Sequence, residues 1–352
     1  MANTTGGAAV AVRPADSVWL STLPTPRIAA VSGSARPSAE LLRAVRPAAG
    51  ELAGLPGAVT DLAVSHDGRF LVAAHFGADA VSVIDVATLS VKSVVSGIAE
   101  PYAVAASDRA YVRSACISED NVVAVDLDSG CPLADREVGV GARGLAVSRS
   151  GDLVYVARST DEVADVAVVD VETGQISTIV VARESGASID AVQINPAGSR
   201  LYAALTTASG GALVVIDLRS GRVLDTIAVG ASIGDIAVHA DDRRVVVTGW
   251  DAEIGGVLRV IDTSAGRVLH TIEIGADAPA QVVVTGGAAY VADGDGVVVV
   301  DTATARVGER IDIGRPVSAL AVSRDGSCLY VGDYEGVVST LEVRSAGLRA
   351  AS

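Results

Sequence analysis

A chain of 352 residues that is 50% apolar but only 3% aromatic must fill its core with Val, Ala, Ile and Leu, and the β-branched members of that set pack best on pleated strands. The formal net charge of −15, with no cluster of Lys and Arg able to track a phosphate backbone, argues against a nucleic-acid partner. Cys116, Cys131 and Cys328 share no C-x-x-C spacing and no run nears the ~18 apolar residues of a membrane span, so a disulfide framework, a cysteine-bound metal and a membrane span are all set aside.

Residues 1–25 carry no cationic segment followed by an apolar one, so no signal peptide is expected and the cytoplasm is the expected location. Their Ala, Pro, Ser and Gly content suits a partly disordered lead-in. Two short apolar runs follow, RIAAV at 27–31 and ELLRAV at 40–45. From about residue 57 the chain repeats itself. The first unit has an apolar run, LAVS at 62–65, then the tight turn HDG at 66–68, whose glycine supplies a positive φ. A second run leads through a polar loop to a third, VSVID at 81–85, and after another turn comes a fourth. LAVS returns at 145–148 and 320–323, LVYVA stands at 153–157, LVVID at 213–217 and VLDTIAVG at 223–230. The acid that ends the third run falls at Asp85, Asp126, Asp170, Asp217, Asp262, Asp301 and Glu342, a mean interval of about 43 residues.

Four short strands per unit of this length make one blade of a propeller, because a lone sheet of that size cannot bury both faces and must stack against its neighbours around an axis. The expected fold is all-β: a seven-bladed β-propeller of four-stranded blades, with units over about 57–345. The last unit ends soon after STLEV at 339–343, too early for a fourth strand. The segment 26–50 is therefore expected to supply it, closing the ring and removing exposed sheet edges. On this reading 26–345 is one propeller domain, 346–352 is a tail, and the protein is a monomer.

The units resemble the YVTN family of β-propeller repeats, in LVYVARS at 153–159, AAYVADG at 288–294, VSVID at 81–85 and VLHTIEIG at 268–275. The resemblance implies the same propeller fold and says little about function, since that fold hosts binding proteins, lactonases and haem-containing reductases. The Asn of the family motif is replaced in every unit, by His75, Ser114, Arg158, Leu205, Gly249, Asp293 and Asp333, and the second unit has SDR at 107–109 where others have an Asp-Gly turn.

In a propeller the loops between second and third strands lie at one end of the central channel, where ligands usually bind. There the sequence places Arg113, Arg143 and Arg158 on blades two to four and Asp251, Asp293 and Asp333 on blades five to seven, a face split by charge that would suit a protein partner or a small anionic or zwitterionic ligand. His75, Trp250 and Tyr334, together with Tyr102 and Phe76, map to the same end. His75 is the single histidine there, and the Asp293–Asp295 pair lacks the further acids of a calcium loop, so neither a metal nor any other cofactor is expected. Tyr111, Tyr155, Tyr202, Tyr290 and Tyr330 recur at one position of the second strand and read as packing residues. With no G-x-S-x-G, H-E-x-x-H, P-loop or dinucleotide fingerprint, no catalytic residue can be named, and the leading expectation is a non-catalytic scaffold binding at the charged mouth. The alternative is a lactonase-like hydrolase or isomerase using His75, Arg158 and the mouth acids.

Overall fold

The computed structural model describes residues 45–115, 119–275 and 279–343, which form seven four-stranded antiparallel sheets. The first blade has β2 (Asp61–Val64), β3 (Phe70–His75), β4 (Ala80–Asp85) and β5 (Ser90–Ser96) in sequence order from the axis outward. Five further blades repeat this order, and successive innermost strands touch all the way round the ring. Those inner strands are β2, β6 (Ala103–Ala106), β10 (Ala142–Val147), β14 (Ser188–Ile194), β18 (Ser232–Val238), β22 (Val282–Thr285) and β26 (Val317–Val322). No helix among the described residues is long and apolar enough to cross a membrane.

The repeated residues have repeated jobs. Gly68 and Gly326 turn the chain between first and second strands at φ of 76° and 73°, the left-handed region that glycine enters without a Cβ clash. The aspartate ending the third strand of the first six blades is a turn cap. Asp85 accepts from the Thr88 N–H at 2.9 Å and Oγ1 at 2.8 Å, and Asp126 and Asp217 hold Ser129 and Ser220 in the same way, so these carboxyls sit below their ordinary pKa chiefly through those bonds. That local bond is why the sequence pattern is so regular.

The middle strands of a blade are covered on both faces by neighbouring blades, so they read as unbroken apolar runs, whereas an outermost strand such as β5 is exposed along most of its length. Phe70, Val72 and Ala74 of β3 face blade two, where they meet Val104, Val112 and Val123, while Leu71 and Ala73 face blade seven and meet Ala321 and Tyr330. The core is thus a set of seven layers, one per blade junction, in place of a single central mass. The five recurring tyrosines of the second strands are all buried in these layers.

The ring closes as expected, with one shift of position. The outer strand of the last blade is β1 (Val45–Leu52), antiparallel to β28 (Val338–Val343) with Val45 opposite Val343 and Leu52 opposite Val338. The apolar run at 40–45 contributes only its final residue to β1, and the rest of it, like the run at 27–31, lies outside the described residues. β1 reads VRPAAGEL, with a proline that sequence patterning scores against a strand. As an edge strand it pairs on one side only, so the missing Pro47 N–H is tolerated.

Candidate functional site

Most of the charges that the sequence places at the mouth are spent inside their own blades. Arg158 grips both oxygens of Asp165, Nε at 2.8 Å and Nη2 at 3.0 Å, and donates from Nη1 to the Val138 carbonyl at 2.7 Å. Arg113 donates to Asp120 at 2.8 Å, Asp251 accepts from Arg259 at 2.9 Å, Asp333 accepts from Arg315 Nε at 2.6 Å, and Asp293 and Asp295 share Arg310. Asp333 is 1% exposed and also accepts from the backbone N–H groups of Glu335 and Val337, which makes it a clamp for its own loop. The expected division into a cationic and an anionic half is therefore cancelled: each of these charges has a counter-charge within its own blade.

His75 does not face the mouth. It is fully buried, with Nδ1 3.0 Å from the Gly57 carbonyl and 3.3 Å from the Ala58 carbonyl. Two carbonyls can only accept, so Nδ1 carries the proton and Nε2 accepts from Ser82 Oγ at 2.9 Å. Burial lowers its pKa and keeps it neutral. His75, Arg158 and Asp293, the set a hydrolase reading would use, each hold different partners. Trp250 is 45% exposed beside β18, with its carbonyl facing the Ser232 hydroxyl.

Tyr334 does reach the channel, and so does a set of residues that the sequence did not single out. A cavity of about 400 Å³ at the mouth is lined by the exposed rings of Phe76, Tyr102 and Tyr334 and floored by Asp61, Asp235 and Gln281. A second space of about 370 Å³ continues down the channel between the inner strands, and the same Asp61, Asp235 and Gln281 line it too. These three side chains form the waist between the chambers. Arg113 leans over the Tyr102 ring at 5.9 Å, and Arg143, 55% exposed, pairs at 3.0 Å with Asp190, another lining residue.

The waist is built by the inner strands. In β10, β14, β18 and β26 the register shifts at the mouth end, between Ala142 and Leu145, Ile189 and Val192, Ile233 and Asp235, and Val317 and Ala319. Such bulges re-aim side chains, and here they fall beside Asp190, Asp235 and Ser318 of the cavity wall. The waist groups also tie blade to blade. Asp61 Oδ2 accepts from Val104 N at 2.8 Å, Asp235 Oδ2 from Val282 N at 2.9 Å, and Gln281 Oε1 from Leu320 N at 2.7 Å, each reaching the next blade. Gln281 Nε2 then donates to Asp61 Oδ1 at 2.7 Å across the blade between them. Enclosure by protein pushes Asp61 up to about 6, against the pull of its hydrogen bonds, and pushes Asp235 up to about 7, where the charge of Asp61 adds to the effect.

The signal for these residues was present but faint: an acid just ahead of the first-strand run, in TDLAVS, SIDAVQI and GDIAV, on three blades only.

No family model matches the chain. It is 31% identical over 326 residues to the seven-bladed beta-propeller protein Rv1057 of Mycobacterium tuberculosis, covering 82% of this chain and 83% of that one. This chain belongs to the seven-bladed β-propeller proteins. Among solved structures the propeller is similar to a chain of Kuenenia stuttgartiensis hydrazine synthase, at a TM-score of 0.71 and 22% identity over 84% of this chain and 97% of that one. At that identity the likeness is one of fold, and the propeller's chemistry has to be argued from its own residues.

Proposed function

We propose that this propeller is a non-catalytic binding scaffold that takes a small polar ligand at the mouth of its central channel, built on repeats of the YVTN type. The observation that carries this reading is the mouth cavity itself: about 400 Å³, within the range of small-molecule sites, with three solvent-exposed aromatic rings above a polar floor. Tyrosines exposed at 55% and 57% are well suited to covering a ligand with their faces while their hydroxyls stay wet. Of the residues expected from the sequence, Tyr334 forms part of the rim, Arg143 and Arg113 hold the cavity's Asp190 and Tyr102, and Arg158, Asp251, Asp293 and Asp333 serve to stiffen the surrounding loops.

Native mass spectrometry of the purified protein, followed by gentle denaturation, tests the reading. The expected result is a small molecule carried above the 35.3 kDa chain mass and lost from the Tyr102→Ala and Tyr334→Ala variants. A bare chain, together with no thermal shift across a broad metabolite set, would overturn it.

A further inference from the structure

Resting on the binding reading above, we propose that the mouth cavity selects a compact organic cation, an alkylammonium or guanidinium group, seated between the aromatic rim and the carboxyl groups of Asp61 and Asp235.

The argument begins with a contrast in how this fold treats its acids. At the mouth end, Asp120, Asp165, Asp190, Asp251, Asp293 and Asp333 each hold an arginine. Asp61 and Asp235 do not. Asp61 accepts from two backbone N–H groups and the Gln281 amide, and Asp235 accepts from backbone N–H groups, all of them neutral donors. Two carboxyls within electrostatic reach of one another, enclosed by the ring and without a counter-cation among the described residues, are an arrangement that a bound cation would relieve.

The rim supplies the second half of the recognition. The rings of Phe76, Tyr102 and Tyr334 face the same cavity, and an aromatic face attracts an organic cation more strongly once water is displaced. A bare metal ion fits the donor set less well, because no group of three or more His, Cys, Asp and Glu is gathered among the described residues. The volume admits a molecule with a charged head and a short body, and the floor is shared with the lower chamber, so a linear tail has room along the axis.

The titratable groups facing the cavity are Asp61, Asp190, Asp235 and the phenols of Tyr102 and Tyr334, and Arg143 already neutralises Asp190. With Asp235 pushed up to about 7 and Asp61 to about 6, a cation must displace protons to bind, so its affinity rises with pH through that window.

The test is isothermal titration calorimetry on the full chain with tetramethylammonium and butylammonium, against tert-butanol as the neutral match and butanoate as the anion. Saturable binding of a cation, about tenfold tighter at pH 8 than at pH 6, and weakened about tenfold or more by both Asp235→Asn and Tyr334→Ala, is expected. Cations that bind no better than tert-butanol, or with the same affinity in Asp235→Asn, would overturn the cation assignment. Butanoate or a neutral probe that binds and is lost in Tyr334→Ala would overturn it while leaving the mouth as a ligand site. If no probe of any charge binds and the chain is bare in native mass spectrometry, both readings fall. Should Asp235→Asn not fold, the pH profile of the unaltered chain and the Tyr334→Ala affinity decide the matter.

Discussion

Asp235 shows what the channel costs at the level of one residue. Its carboxyl takes up a proton at about 7 in the fold against 3.8 in the unfolded chain, so its contribution to stability is full below about pH 4 and is lost as pH rises through 7. Asp235→Asn keeps a carbonyl for the Val282 N–H and removes the titration. The variant is expected to melt several degrees above the parent at pH 8, with the gap closing by pH 4, as followed by scanning calorimetry across that range. A gap that does not change with pH would show that Asp235 is not held protonated. His75 and His239 act in the opposite direction. Burial holds both neutral, so the stability they contribute is present above pH 6.5 and is lost as pH falls, for His239 through about 4. Comparing parent with variant separates the aspartate from this background. A group that loses stability for the fold while facing a cavity is the usual signature of a residue kept for binding.

At the scale of elements, the strands, turns and their order were legible because each blade is made by local rules: apolar runs for strands covered on both faces, Gly at positive φ, and in the first six blades an Asp capping the turn after the third strand. The closing strand was placed a few residues too early because Pro47 and Gly50 break the pattern that marks a strand, and only its edge position makes them acceptable. What fastens that strand is a three-residue bridge. Arg315 donates from Nη2 to Glu51 of β1 at 2.9 Å and from Nε to the buried Asp333 at 2.6 Å. Removing the centre of this bridge should cost more than removing its exposed end. Arg315→Ala strands Asp333 at 1% exposure without its cation and is expected to cost about 2–4 kcal/mol, whereas Glu51→Ala removes a partner that is 59% exposed and should cost under about 1 kcal/mol. Urea titrations of the two variants give the comparison, and equal losses would mean that the Asp333 contact is not the one that matters.

Across the whole molecule, stability is shared among seven apolar junctions, each made by two blades, and the junction between blades seven and one depends on residues from both ends of the described chain, such as Leu55, Val59, Ala319 and Val338. A chain beginning at Leu55 would lack β1 and leave the β28 edge unpaired. It is expected to melt below the full chain and to self-associate as concentration rises, by calorimetry and light scattering. A monomer with an unchanged midpoint would show closure to be dispensable. The sequence by itself determined the blade count, the four-strand order and the surplus of acidic charge, because each is written in local spacing and composition. Only the tertiary structure decided which charges are free. Arg158 and Asp165 stand seven residues apart and neutralise each other across one hairpin, while Asp61, Asp235 and Gln281 come from blades one, five and six and meet only because the ring brings every inner strand to one axis. Spacing along a chain records the first kind of neighbour directly and carries only a faint trace of the second.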